Sequence, residues 1–241
     1  MNTLNGLDSL AGVVVLAGGA SRRMGTPKAK LTLPTGEYLL DYHLRHARGL
    51  NVADVNPPIM IADNGRGFNT NANVALHSPQ SPILHIADYH SLKSTTSLRS
   101  DKEIDTGGAL VAIESALQTL INLDDSITIK NRHSSWLLVI SCDSLIPATD
   151  LWQTLQPFIA QADDKNIICL TDANHLYPLL GLYRLSIEPD LRAYIDSGQR
   201  RVMSFIQPVV HCVPFMNEWQ HLTNFNTPED FKRACTALSD L

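Results

Sequence analysis

Gly12-Val13-Val14-Val15-Leu16-Ala17-Gly18-Gly19 is a continuous apolar run that closes on two glycines. A short run with no polar alternation is what a strand buried on both faces requires, and such strands belong to parallel sheets. Further strand-length runs follow at Ile59–Ala62, Ile83–Ile86, Trp136–Ile140, Asn166–Leu170, Leu179–Tyr183 and Val209–Val213. Between them, Ala109–Ile121 repeats Leu110, Ile113, Leu117, Leu120 and Ile121 at helical spacing, and Leu151, Leu155, Phe158 and Ile159 make a second stripe. Pro189–Ser197 and Pro228–Leu238 also read as helices. Alternation of this kind predicts an α/β fold: a mostly parallel central sheet with helices on both faces. Ligands of such sheets sit at the carboxyl ends of strands, so the residues just after Leu16 and Ile140 are the first suspects.

The bulk numbers agree with an ordinary globular chain. It has 241 residues, 44% hydrophobic and 18% charged, and is read as a single domain over 1–241. Asp63–Pro82 and Tyr89–Asp105 are rich in Asn, Ser and Thr without an amphipathic period, and are expected to be inserted surface loops. The histidines His43, His46, His77, His85 and His90 show no ligand-like arrangement and are read as solvated or capping. With 19 basic and 24 acidic residues the net charge is −5, so no global field attracts nucleic acid or an anionic membrane. Any grip on phosphate must come from a local cluster. The four cysteines form no CxxC pair, and neither a zinc site nor a disulfide framework is expected. Gly12–Gly19 is too short for a membrane span and lacks the flanks of a signal peptide, so a cytoplasmic setting is expected.

Such a cluster follows the first strand: Leu16-Ala17-Gly18-Gly19-Ala20-Ser21-Arg22-Arg23-Met24-Gly25-Thr26-Pro27-Lys28. Glycines after a buried strand allow a sharp turn and bring backbone N–H groups against an anion. Arg22, Arg23 and Lys28 add three cations, a combination suited to a polyphosphate. Neither GxxxxGK[ST] nor GxGxxG is present. Taken as bare residue types, an ordinary glycine turn with basic residues on its rim is the competing account. Ser141-Cys142-Asp143 follows the strand Trp136–Ile140. A carboxylate there can bind Mg²⁺, which typically takes one or two carboxylates plus phosphate oxygens and water. A capping aspartate is the alternative.

The string LAGGxSRRMGxxK resembles the signature loop of the nucleotidyltransferases that make nucleotide-linked cofactors and sugars, and most resembles the molybdenum cofactor guanylyltransferase family. That resemblance implies a Rossmann-like fold of the nucleotide-diphospho-sugar transferase type. It implies transfer of GMP from GTP to molybdopterin, with pyrophosphate released and Mg²⁺ as cofactor. On it, Leu16, Ala17, Gly18, Gly19, Arg23 and Lys28 hold the nucleotide, with Lys30 the competitor for the family's lysine. Asp143 matches the metal-binding acid of a CDxPxIP string, although Ser144-Leu145 runs one residue shorter than some versions. Asp88 takes the place of an acid that contacts the nucleotide, and Gly108, Leu110 and Ala112 match a GPLAG helix entry. A family asparagine after the second strand falls near Ala62–Asn64. Tyr177 replaces the histidine of a His-Pro strand.

Arg200, Arg201, Asn224 and Asn226 match positions on the acceptor side. A solvated basic turn accounts for the two arginines slightly better on spacing alone. Thr227-Pro228-Glu229-Asp230 is fully explained as a helix start, whereas the asparagines before it are not. The resemblance also implies transient contact with proteins that supply or receive the cofactor. Two rivals remain open: a cytidylyl- or sugar-phosphate nucleotidyltransferase, whose relatives resemble Ala-Ala-Gly where this chain has Ala17-Gly18-Gly19, and a non-catalytic nucleotide-binding protein.

Overall fold

Seven strands lie in one sheet, in the order β3-β2-β1-β4-β6-β5-β7. The computed structural model describes residues 9–19, 21, 23–50, 56–69, 81–89, 108–123, 131–162, 164–173 and 175–240. The strands are β1 (Ser9–Leu16), β2 (Ile59–Ala62), β3 (Ile83–Ile86), β4 (Ser135–Ser141), β5 (Ile167–Thr171), β6 (Leu176–Arg184) and β7 (Val210–Pro214). All neighbouring pairs are parallel except those of β6, which runs antiparallel to both β4 and β5. The expected mostly parallel sheet is therefore present, with one reversed strand that local sequence does not announce. The inserted loops expected at Asp63–Pro82 and Tyr89–Asp105 lie largely outside the described residues.

Period-two burial divides the core. Val13 and Val15 of β1, with Trp136, Leu138 and Ile140 of β4, face helices α1 (Leu39–Arg48), α3 (Ala148–Leu155) and α6 (Pro228–Ser239). Val14, Leu137 and Val139 face the other way, onto α2 (Gly108–Leu123), α4 (Glu188–Asp196) and α5 (Val202–Ile206). The stripe expected to continue from Leu151 to Ile159 leaves α-geometry at Gln156 and becomes a 3₁₀ segment over Gln156–Gln161. Pro157 has no N–H to offer the preceding turn.

Periodicity announces neither α1 nor the short α5. In α1, Leu39, Leu40, Tyr42, Leu44 and Ala47 are buried, but so are Asp41 and His43. The reading of His43 as a solvated or capping residue is thus corrected: it is fully buried, and burial pushes its imidazole down to about 3, keeping it neutral.

The sheet also depends on a close approach at Gly181 of β6. A Cβ there would lie 2.6 Å from the Ile168 carbonyl oxygen and 2.9 Å from the Cys169 Cβ. Neither is the end of a flexible side chain. Gly181→Ala is expected to destabilise the fold by about 1–3 kcal/mol through overpacking. Thermal denaturation should then show a Tm lower by roughly 3–10 °C. An unchanged Tm would mean that β5 and β6 can separate without loss.

Candidate active site

β1 and β4 end side by side, with Leu16 and Ser141 as register partners. The chain leaves β1 toward β2 on one flank and returns to β4 on the other, so a crevice opens where the two connections diverge. The glycine loop and the Cys142–Asp143 turn both emerge into it. They are joined at their roots, since Cys142 N donates to Leu16 O, and Ala17 N donates to Ala62 O at the end of β2. The resulting cleft has a volume of about 450 Å³, the size of an ordinary small-molecule site.

Ser21 shapes the glycine loop. Its φ is 45°, and its hydroxyl both donates to Gly19 O at 3.3 Å and accepts from Lys28 N at 3.1 Å. One side chain thereby closes a ring that brings Lys28 back to the glycines. The Lys28 ammonium lies 3.1 Å from Asn226 Oδ1, 3.5 Å from Asp143 Oδ2 and 5.6 Å from the centre of the Phe225 ring. Its side chain is only 14% exposed. Lys30 points elsewhere, 5.5 Å from the Phe68 ring, and does not line the cleft. Of the two lysines that spacing left open, Lys28 is the one that enters the cleft.

Asp143 is held from two sides. Leu145 N donates to Leu222 O at 2.7 Å, Ser144 and Thr223 form an isolated bridge, and Tyr42 of α1 donates its hydroxyl to Leu145 O at 2.7 Å. The same pairing brings the segment before α6 to the cleft. That segment ends in a capping box, with Asp230 N donating to Thr227 Oγ1 and Thr227 N donating to Asp230 Oδ2. Asp230 Oδ2 also accepts from Asn226 N. Hydrogen bonds from Thr227 and Asn226 hold the Asp230 carboxyl below its ordinary range, so it is a firm anchor for the Asn226 backbone. Cys142 is buried beside Asp143, and burial raises its thiol well above the ordinary value, which disfavours the thiolate.

Leu16, Ala17, Gly18, Gly19, Arg23, Lys28, Asp143 and Asn226 therefore line one cleft, together with Gly108, Ala109 and Ala112 in the first turns of α2. Arg22 lies outside the described residues. The N-terminal end of a 16-residue helix adds partial positive charge beside Arg23 and Lys28. Such a lining suits an anion, with one carboxylate set among the donors and cations. Among the described residues no cluster of three or more His, Cys, Asp or Glu is arranged to hold a metal unaided. A metal here would need ligands from its substrate.

Four expected site residues are not brought there. Asp88 lines a second depression with Tyr89, Ser115 and Thr119. Arg200 turns its guanidinium to the carbonyls of Ile195 and Gln199, capping the end of α4. Arg201 is exposed in the same turn, its carbonyl accepting from the Tyr194 hydroxyl. Asn224 is exposed at φ 57°, and its carbonyl accepts from Asn226 Nδ2 at 3.0 Å, so it shapes the loop and leaves the cleft to Asn226.

Asn64, within the stretch Ala62–Asn64 where the resemblance puts an asparagine without fixing it, lines the cleft. Its amide packs flat on Gly18, where a Cβ would meet all three amide atoms at 2.7 Å. The Asn64-Gly65 pair, one residue beyond β2, is a second signal, since that dipeptide marks a tight left-handed turn.

Comparison with known proteins agrees with this fold. The model of the MobA-like NTP transferase domain matches residues 13–212. The chain is similar to a molybdenum cofactor guanylyltransferase of Vibrio atlanticus, 25% identical over 219 residues that cover 90% of this chain and 91% of that one. Among solved structures it is similar to the molybdopterin-guanine dinucleotide biosynthesis protein A of Archaeoglobus fulgidus, with a TM-score of 0.60 and 19% identity, covering 95% of this chain and 100% of that chain. It also shares the fold of the 2-C-methyl-D-erythritol 4-phosphate cytidylyltransferase of Francisella tularensis, with a TM-score of 0.54 and 13% identity over 95% of this chain and 100% of the other.

Proposed function

This chain belongs to the MobA-like NTP transferase domain family, and on that premise we propose that it transfers GMP from GTP to molybdopterin, forming the guanine dinucleotide and releasing pyrophosphate. The carrying observation is the placement of Lys28 and Asp143 within 3.5 Å of each other at the mouth of the glycine loop. A cation and a carboxylate held over a backbone anion site suit a substrate that arrives with both phosphate charge and a metal. The substrates are small molecules, and neither nucleic acid nor membrane is required.

A phosphate oxygen of the acceptor attacks the α-phosphorus in line. The new P–O bond forms as the bond from the α-phosphorus to the bridging oxygen breaks, and that oxygen leaves with pyrophosphate. No covalent enzyme intermediate is needed. As in other phosphoryl transfers, the protein positions the groups and offsets charge. The glycine loop and Arg23 hold the triphosphate tail, and Lys28 stands where negative charge accumulates on the leaving group. The residues present fit Mg²⁺: Asp143 is a partly exposed carboxylate in the cleft, and phosphate oxygens and water complete the usual set. Magnesium bound there would supply Lewis-acid neutralisation of the phosphates. Asn226, which already touches Lys28, is the acceptor-side residue that the cleft offers.

The guanine assignment draws on Ala17-Gly18-Gly19 and on the guanylyltransferase named above. The test is mass spectrometry of the product after incubation with magnesium, molybdopterin and equal GTP and CTP. The GMP adduct should dominate. A CMP adduct would overturn the guanine assignment, and no adduct with either would overturn the transfer reaction.

A further inference from the structure

Asn64-Gly65-Arg66-Gly67, the turn that follows β2, reaches both signature glycines from outside their loop. Asn64 Nδ2 donates to Gly18 O at 3.0 Å, and Arg66 Nη1 donates to Gly19 O at 2.9 Å. The turn is tightly wound, with φ of 56°, 70° and 59° at Asn64, Gly65 and Gly67. It is also anchored: the buried Asp63 carboxylate accepts from Phe68 N at 2.9 Å, and Arg66 N donates to Asp63 O at 3.3 Å. Arg66 therefore projects from a constrained base.

A glycine loop has more backbone freedom than any other, and its N–H groups grip an anion only when its peptide planes are fixed. In a trans peptide the carbonyl and the following N–H point opposite ways, so holding one aims the other. Asn64 thereby aims Gly19 N–H, and Arg66 fixes the next peptide plane through Gly19 O.

We propose that Arg66 is a positioning residue for the triphosphate: it presets the glycine loop through the Gly19 carbonyl before nucleotide arrives. This rests on reading the cleft as a nucleotide site. The guanidinium suits the task because its charge strengthens the hydrogen bond to a carbonyl and adds a cation at the loop's rim. Its side chain is exposed, so its removal leaves the core intact.

Two variants test the proposal, Arg66→Ala and Arg66→Lys, first by hydrogen exchange of the loop amides without nucleotide. In Arg66→Ala, loop exchange should accelerate on the order of tenfold while Tm stays within about 2 °C. The KM for GTP should rise roughly tenfold with kcat held within about twofold, since a preset loop aids ground state and transition state alike. Arg66→Lys keeps one charged donor and should recover part of both effects. Unchanged loop exchange in Arg66→Ala would overturn the proposal. So would a fall in kcat at constant KM, which would place Arg66 on the reacting groups. If wild type turns over neither GTP nor CTP, the nucleotide reading fails, and loop exchange alone still decides whether Arg66 presets the loop.

Discussion

Lys28→Ala is expected to slow pyrophosphate release by about 100- to 1000-fold, the usual scale for removing one preorganised charge from a phosphoryl-transfer site. The Lys28 ammonium is fixed before any substrate binds, by Asn226 Oδ1 and Asp143 Oδ2, and lies over the Phe225 ring. It needs no reorganisation as charge develops on the leaving group, and that is where a fixed cation acts most strongly. Lys30→Ala is the matched control, because Lys30 lies over Phe68 and outside the cleft. Its rate should stay within about twofold of wild type, as for a surface change remote from the site. Pyrophosphate release measured at saturating GTP distinguishes the two. Comparable losses in both variants would contradict the assignment of Lys28.

Asp143→Asn should be more damaging still, with a loss of about 1000-fold or more, since it removes the carboxylate proposed to hold the metal. Asparagine keeps the size of the side chain, so the loop pinned by Leu222 and Tyr42 has no steric reason to move. The charge balance changes instead: the Lys28 ammonium loses the carboxylate that lies 3.5 Å from it. A second readout separates loss of metal from loss of shape. Wild type should gain several degrees of Tm from magnesium and GTP together, while Asp143→Asn should keep its own Tm but respond little to magnesium. A variant that retains the magnesium-dependent shift would remove Asp143 from the metal site.

Much of this architecture is legible in the amino-acid order because buried parallel strands leave dense apolar runs. Ile59–Ala62 and Ile83–Ile86 match the observed strands residue for residue. α1 was not legible, because Asp41 and His43 occupy buried positions and break its apolar stripe. The reversal of β6 was not legible either, since an apolar run carries no direction. In the site, Gly18, Gly19 and Asp143 were readable because each lies just after a strand, whereas Lys28 stands well beyond β1 and spacing left Lys30 as its competitor. Arg66 was not, because it acts on a backbone carbonyl 47 residues away and such contacts impose no pattern on neighbouring side chains. Arg200 illustrates the converse. A basic pair looks the same in sequence whether it binds a phosphate or caps its own helix, and here Arg200 is occupied by carbonyls of residues 195 and 199.

The hydrogen bond between Lys28 and Asn226 spans 198 positions of the chain. During synthesis, a nascent chain grown only to Pro214 already contains every strand of the sheet, yet lacks the segment that pairs with Leu145 and steadies Lys28. Completion of the grip is therefore a late event, and closing so long a loop is slow. A nucleotide that binds only the closed cleft stabilises finished chains and not partial ones, so the ligand itself discriminates between them by mass action.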